Sequence, residues 1–217
     1  MTTNTQPTTV TPQLSTDPRP AFRRAVDQLV DVAAGVRTDQ LGEPTPCTGM
    51  DVRALLDHLA MALGRTEAVA RRLPLEEWPG PETSAGDDWA AHLRRAGDAA
   101  AEVWQDDALL ATVMQLPWDT LVGIDVLGIY TNEVVVHTWD LAQATGQSPA
   151  WDDVAVEVAD EAIRQQLPDA DRGPMWEQAK QQLPPGMPWE DPFANAVPVA
   201  DDAPAIERLV AWNGRRP

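Results

Sequence analysis

Apolar positions recur at helical spacing in several stretches of this chain. After Pro20, the residues Phe22, Val26, Leu29, Val30 and Ala33 form one stripe and predict a first helix. Gly42 and Gly49, with Pro44 and Pro46 between them, predict a loop. Asp51 then stands where an N-cap belongs, its carboxylate able to accept from the orphan amides of the next turn. The helix behind it carries Val52, Leu55, Leu56, Leu59 and Leu63 on one face, and a Pro-rich break over 73–81 ends it. Trp89, Leu93, Ala96, Ala100 and Val103 predict a third helix over 88–104. Residues 106–118 are ambiguous, with 111–116 fitting a short strand or an extended excursion.

The segment 119–144 contains a β-branched run, Val134, Val135 and Val136, that fits a strand, but its length and the closing Gly146 predict a long helix. A further helix fits 153–167. Eight prolines in the 37 residues 168–204 predict mostly loop, with one helical turn near Trp176. A last short helix over 204–212 begins on Pro204 and stops at Gly214. Four or five amphipathic helices without a convincing set of strands predict an all-α helical bundle. The expected layout is a flexible Thr-rich tail over 1–17, a helical bundle over 18–167, and a Pro-rich C-terminal extension over 168–217 packing on the bundle.

Composition narrows the classes of function. Sixteen basic and 34 acidic residues in 217 give a formal net charge of −18. That balance disfavours both a nucleic-acid backbone and an anionic membrane surface as partner. A single cysteine, Cys47, cannot form an internal disulfide, and no basic-then-apolar leader opens the chain, so a cytoplasmic protein is expected. The expected partners are small molecules, with the chain a monomer or homodimer.

Candidate chemistry rests on three histidines, His58, His92 and His137. Glu133 and His137 are four apart, so on a helix they project from one face, a carboxylate oxygen and an imidazole nitrogen one turn apart. His58 falls beside Leu55 at the edge of its helix's apolar stripe and is the natural third ligand of a metal. A His–Glu–His set leaves one tetrahedral position open, as catalytic zinc sites do. The plain alternative is that Glu133 and His137 finish an ordinary amphipathic helix. His92 shares a face with Trp89 and Ala96 and reads as an interior histidine, and Cys47 as a buried small residue. Asp140 and Tyr130, on the same predicted helix, are candidate catalytic residues. Arg53 and Arg65 are candidate cofactor-binding residues, anchors for a carboxylate.

The stretch Thr45-Pro-Cys-Thr-Gly-Met-Asp-Val-Arg-Ala-Leu-Leu-Asp-His58-Leu resembles the opening of the DinB-like, mycothiol-dependent maleylpyruvate isomerase N-terminal domain family. Asn132-Glu133-Val-Val-Val-His137-Thr-Trp-Asp-Leu-Ala-Gln-Ala-Thr-Gly146 is similar to its second block, and Val197-Pro-Val-Ala-Asp-Asp-Ala-Pro with Gly214-Arg-Arg-Pro to the close of its shorter members. The resemblance implies a DinB-like four-helix bundle holding a divalent metal, usually zinc, on His58, Glu133 and His137. It also implies mycothiol as a thiol cosubstrate on that metal. Met50 stands where the family commonly has Trp, and Thr48 where Pro is frequent, which reshapes the wall near His58.

A free thiol with a pKa near ~8.5 is largely protonated at neutral pH, whereas a zinc-bound thiol is deprotonated outright. The expectation is therefore a metal-dependent transferase or isomerase that adds such a thiolate to a small electrophile. Two alternatives stand beside it: a zinc hydrolase using metal-bound water, with Asp57 next to His58 as the nearest base, and a non-catalytic, metal-stabilised binding protein using its nine tryptophans.

Overall fold

A computed structural model of the chain describes residues 10–80, 88–181 and 193–217. The described residues are mostly helical: α1 (Arg19–Ala34), α2 (Val52–Ala70), α3 (Trp89–Val103), α4 (Asp107–Leu110), α5 (Gly123–Thr145), α6 (Asp153–Gln166), α7 (Gly173–Lys180) and α8 (Ala205–Trp212). A two-stranded antiparallel sheet, β1 (Val113–Gln115) and β2 (Thr120–Val122), precedes α5, with Met114 opposite Leu121.

Aspartates start several of these helices. The side chains of Asp51, Asp88, Asp106 and Asp152 accept from the amides of Ala54, Ala91, Ala108 and Ala155, capping α2, α3, α4 and α6. Each such cap contributes about 1 kcal/mol by satisfying a donor the helix leaves open. Part of the chain's acidity is thus spent on local structure rather than on a partner.

α1 packs on α3, α5 and α6, while α2 packs on α3 and α5. α5 also meets α6 and α8, so it is enclosed from several directions. Enclosure explains its sequence. A helix covered all round needs no polar face, and α5 therefore shows no single stripe. Its interior polar groups are satisfied locally: the hydroxyls of Thr131, Thr138 and Thr145 donate to carbonyls four residues back, at Leu127, Val134 and Leu141. The β-branched run over 134–136 is helical because its side chains are buried among neighbouring helices. Gly146 ends α5 at φ 69°, a left-handed conformation in which a side chain would be strained.

Two expectations about helices need correcting, and the ambiguous stretch is resolved. The helix expected from 119 begins at Gly123, because 120–122 pairs with 113–115 and the Gly123 amide donates to the Thr112 carbonyl at 2.8 Å. A Cβ at Gly123 would lie 1.9 Å from the Leu109 carbonyl oxygen, so the hairpin-to-helix corner needs glycine. The turn near Trp176 is an eight-residue helix, started by a proline in its first turn and by the Asp171 carboxylate accepting from the Gly173 amide. Residues 106–110 add the short, capped α4.

Of the expected tail, residues 1–9 lie outside the described residues. Leu14 is buried, and the Asp125 carboxylate accepts from the amides of Gln13 and Leu14 at 2.9 and 2.8 Å. No helix among the described residues is long and apolar enough to cross a membrane.

A histidine–carboxylate cluster between two helices

α2 and α5 meet where His58 faces Glu133 and His137. The Nε2 of His58 lies 2.7 Å from Oε1 of Glu133, and the Nε2 of His137 lies 3.4 Å from the same oxygen. The two imidazole rings are 4.7 Å apart, edge to face. One ligand atom from each of the three residues lies within 4.8 Å of the others. Both histidines thus aim the same nitrogen at one carboxylate. The cluster grades from partly open to closed: the side chain of Glu133 is 23% exposed and that of His137 9%.

The second nitrogen of His137 faces inward. Its Nδ1 is 2.9 Å from Oδ2 of Asp140, whose side chain is fully buried. Asp140 in turn accepts from Arg215, at 2.9 Å from Nη2 and 3.2 Å from Nε. Arg215 also donates to the Asn213 carbonyl, and the amides of Asn213 and Asn132 exchange hydrogen bonds at 3.2 and 3.0 Å. The segment after α8 is therefore fastened to α5 at two points. A third group arrives from the loop before α2: the Sγ of Cys47, Asp140 and His137 also bring ligand atoms within 4.8 Å of one another. That loop is closed by the amide of Thr45 donating to the Met50 carbonyl and turns at Gly49, φ 82°.

Electrostatics follow this geometry. Burial pushes the Glu133 carboxyl up, but the charge of His137 and hydrogen bonds from His137 and His58 outweigh it and hold the carboxyl well below its usual range. Burial pushes His137 down, yet Glu133, Asp140 and Cys47 together hold its imidazole well above the usual value. Asp140 is lowered because its bonds to His137 and Arg215 overcome the cost of burial.

Among the expected site residues, the structure brings together His58, Glu133, His137 and Asp140. Tyr130 lies one turn before Glu133, buried. Arg65 lies on α2, half-buried, while Arg53 is exposed in the first turn of α2. His92 is half-buried on α3, outside the cluster. Two participants were missed. Cys47, expected as a buried small residue, is half-buried beside His137 and Asp140, and Arg215 carries no expected role, although both lie inside the blocks that carry the family resemblance. The signal available was an arginine in a closing motif of a strongly acidic chain.

A helical protein with a carboxylate held between two imidazoles, one of them braced by a second carboxylate, has the donor set of a mononuclear metal site. Residues 22–142 match the model of the mycothiol maleylpyruvate isomerase N-terminal domain, and the chain belongs to that family. Uncharacterised proteins from two strains of Mycobacterium tuberculosis are each 33% identical over 202 residues, covering 92% of this chain and 98% of their own length. No solved structure matches the chain.

Proposed function

We propose that the protein is a metal-dependent enzyme that uses a low-molecular-weight thiol, mycothiol, either for transfer to a small electrophile or to isomerise one. The observation that carries this reading is the convergence of two imidazole Nε2 atoms and one carboxylate at a partly exposed point between helices. The family's name, which joins mycothiol to an isomerase, supports the choice of thiol. In this reading α1, α2, α3 and α5 are a DinB-like four-helix bundle within 18–167, the described parts of 168–217 belong to an extension packed on it, with 182–192 outside the described residues, and the protein works in the cytoplasm.

The residues present fit a divalent ion of the zinc type, with two nitrogens and one oxygen as protein ligands and a fourth position left to a substrate atom. His58, Glu133 and His137 would hold it, and the chemistry it would supply is to lower the pKa of a thiol enough to favour the thiolate at neutral pH. The chain supplies the rest. Asp140 accepts from Nδ1–H of His137, fixing the tautomer that leaves Nε2 free to ligate. Arg215 holds Asp140 ionised and in place through two hydrogen bonds. Glu133, ionised beside two imidazoles, contributes the negative charge that a dication needs.

The test is a titration of cobalt(II)-loaded protein with mycothiol, read as a sulfur-to-cobalt charge-transfer band. The expected band is present in the wild type and absent in His137→Ala. Stoichiometric cobalt without a band would overturn the thiol reading.

A further inference from the structure

Tyr130 is the single tyrosine of the chain. Its hydroxyl is buried and has no hydrogen-bond partner among the described residues. Buried polar groups in native proteins are nearly always paired, so a lone one points to a partner the protein chain does not supply. Its position is informative. Tyr130 precedes Glu133 by three residues and His137 by seven, so all three lie along one face of α5.

The facing helix offers a matching group. Arg65 follows His58 by seven residues, two turns along the same face of α2. His58 meets Glu133 across this seam, and the charge of Arg65 reaches the Tyr130 phenol, which sets Arg65 and Tyr130 on the same side of the cluster. The field at the phenol reports the same arrangement. Burial raises its pKa most, the Glu133 charge raises it further, and the positive charge of Arg65 opposes both. Arg65 is also oriented: its Nε donates to the Pro79 carbonyl at 3.1 Å. Pro79 seats against Gly64, where a Cβ would lie 2.9 Å from its ring. With Nε fixed on that carbonyl, the two Nη groups, which donate to no acceptor among the described residues, are the edge left to meet a ligand.

The set offers a phenol O–H and guanidinium N–H donors, beside a cluster whose own carboxylate would repel an unanchored anion. A planar oxyanion such as a carboxylate is the partner that a guanidinium fork and a hydroxyl together satisfy. We propose that Arg65 and Tyr130 form a subsite for a carboxylate of the electrophilic co-substrate, placing its reactive end at the His58–Glu133–His137 cluster. The description of that molecule as an electrophile rests on the thiol reading above; the subsite itself rests on the two side chains. At about 1.5 Å rise per residue, Tyr130 lies ~4.5 Å along its helix from Glu133 and Arg65 ~10 Å from His58.

Because there is one tyrosine, zinc-loaded protein carrying 13C at the tyrosine ring carbon that bears the hydroxyl gives one resonance from Tyr130. Acrylate and acrylamide serve as probes of near-equal shape, charged and neutral. Acrylate is expected to shift the resonance saturably and to bind at least tenfold more tightly than acrylamide. Arg65→Gln is expected to abolish that preference, and Tyr130→Phe to weaken acrylate binding in a calorimetric titration while leaving the zinc content unchanged. Equal binding of the two probes, or an unchanged acrylate affinity in Arg65→Gln, would overturn the subsite. The mycothiol–cobalt band is recorded on the same proteins. A missing band with acrylate preference intact sinks the thiol reading and keeps the subsite, whereas an intact band without preference does the reverse.

Discussion

Glu133 and Asp140 are two carboxylates on one helix, two turns apart, and both touch His137. They differ in what else surrounds them. Asp140 is sealed from solvent and answered by an arginine through two hydrogen bonds, so its charge is already spoken for. Glu133 is partly exposed, and its ion-pair partners among the described residues are imidazoles, whose protons are removable. The first carboxylate is a structural brace, and the second is the one the proposed function assigns to the metal. The imidazole between them separates the two tasks, one nitrogen for each.

The contrast breaks most sharply at Arg215. Arg215→Ala leaves the Asp140 charge buried without its guanidinium, and removing one partner of a buried pair costs about 3–5 kcal/mol. Thermal unfolding of the metal-free protein is expected to show a loss on that scale, reduced in the double variant Arg215→Leu with Asp140→Leu. A loss below about 1 kcal/mol would place the pair among ordinary surface ion pairs. Glu133→Gln is the opposite experiment. Metal content by elemental analysis is expected to collapse while the metal-free protein changes by no more than ~1 kcal/mol, the worth of a partly exposed pair.

Acid titration sharpens the same comparison. The pKa of Asp140 is lowered in the folded state, so its contribution is complete above the unfolded value, ~3.9, and is lost as pH falls through the lower folded value. Metal-free Asp140→Asn is therefore expected to be less stable at pH 6, with a flatter acid limb below pH 4 in melting experiments. On the alkaline side the sign reverses. The raised pKa of His137 gives stability that is complete below ~6.5 and is lost as pH rises through the folded value. Bound metal, which requires neutral imidazole, is expected to remove that alkaline decline.

The smallest effect is expected at Cys47. Cys47→Ser keeps size and a hydrogen-bonding group beside His137, and a partly exposed thiol contributes little packing, so stability is expected to change within about 0.5 kcal/mol. Zinc affinity measured by competition with a chelator is expected to hold within a few-fold. A large loss would move Cys47 from bystander to ligand.

How far the sequence reached depended on the range of the interaction involved. Asp51 as a cap and Gly146 as a stop are decided within a few residues, and both stand as read. The β2 strand was invisible because its reason lies in a partner strand and in the closeness of Leu109 to Gly123, neither of which periodicity records. In the cluster, the meeting of His58 with the Glu133–His137 face was legible from helical spacing and family likeness together. The inward side was not. Arg215 and Cys47 reach His137 and Asp140 through the segment after α8 and a loop, where no period relates residue number to direction.

The two long-range links of the cluster span equal lengths of chain: 75 residues separate His58 from Glu133, and 75 separate Asp140 from Arg215. As the polypeptide leaves the ribosome, the first link becomes available well before the second. The helices can therefore meet while the Asp140 carboxylate still lacks its guanidinium, and during that interval His137 is the cation beside it. Maturation of the site thus has an order, with the Asp140 carboxylate answered by its guanidinium only when the segment after α8 docks.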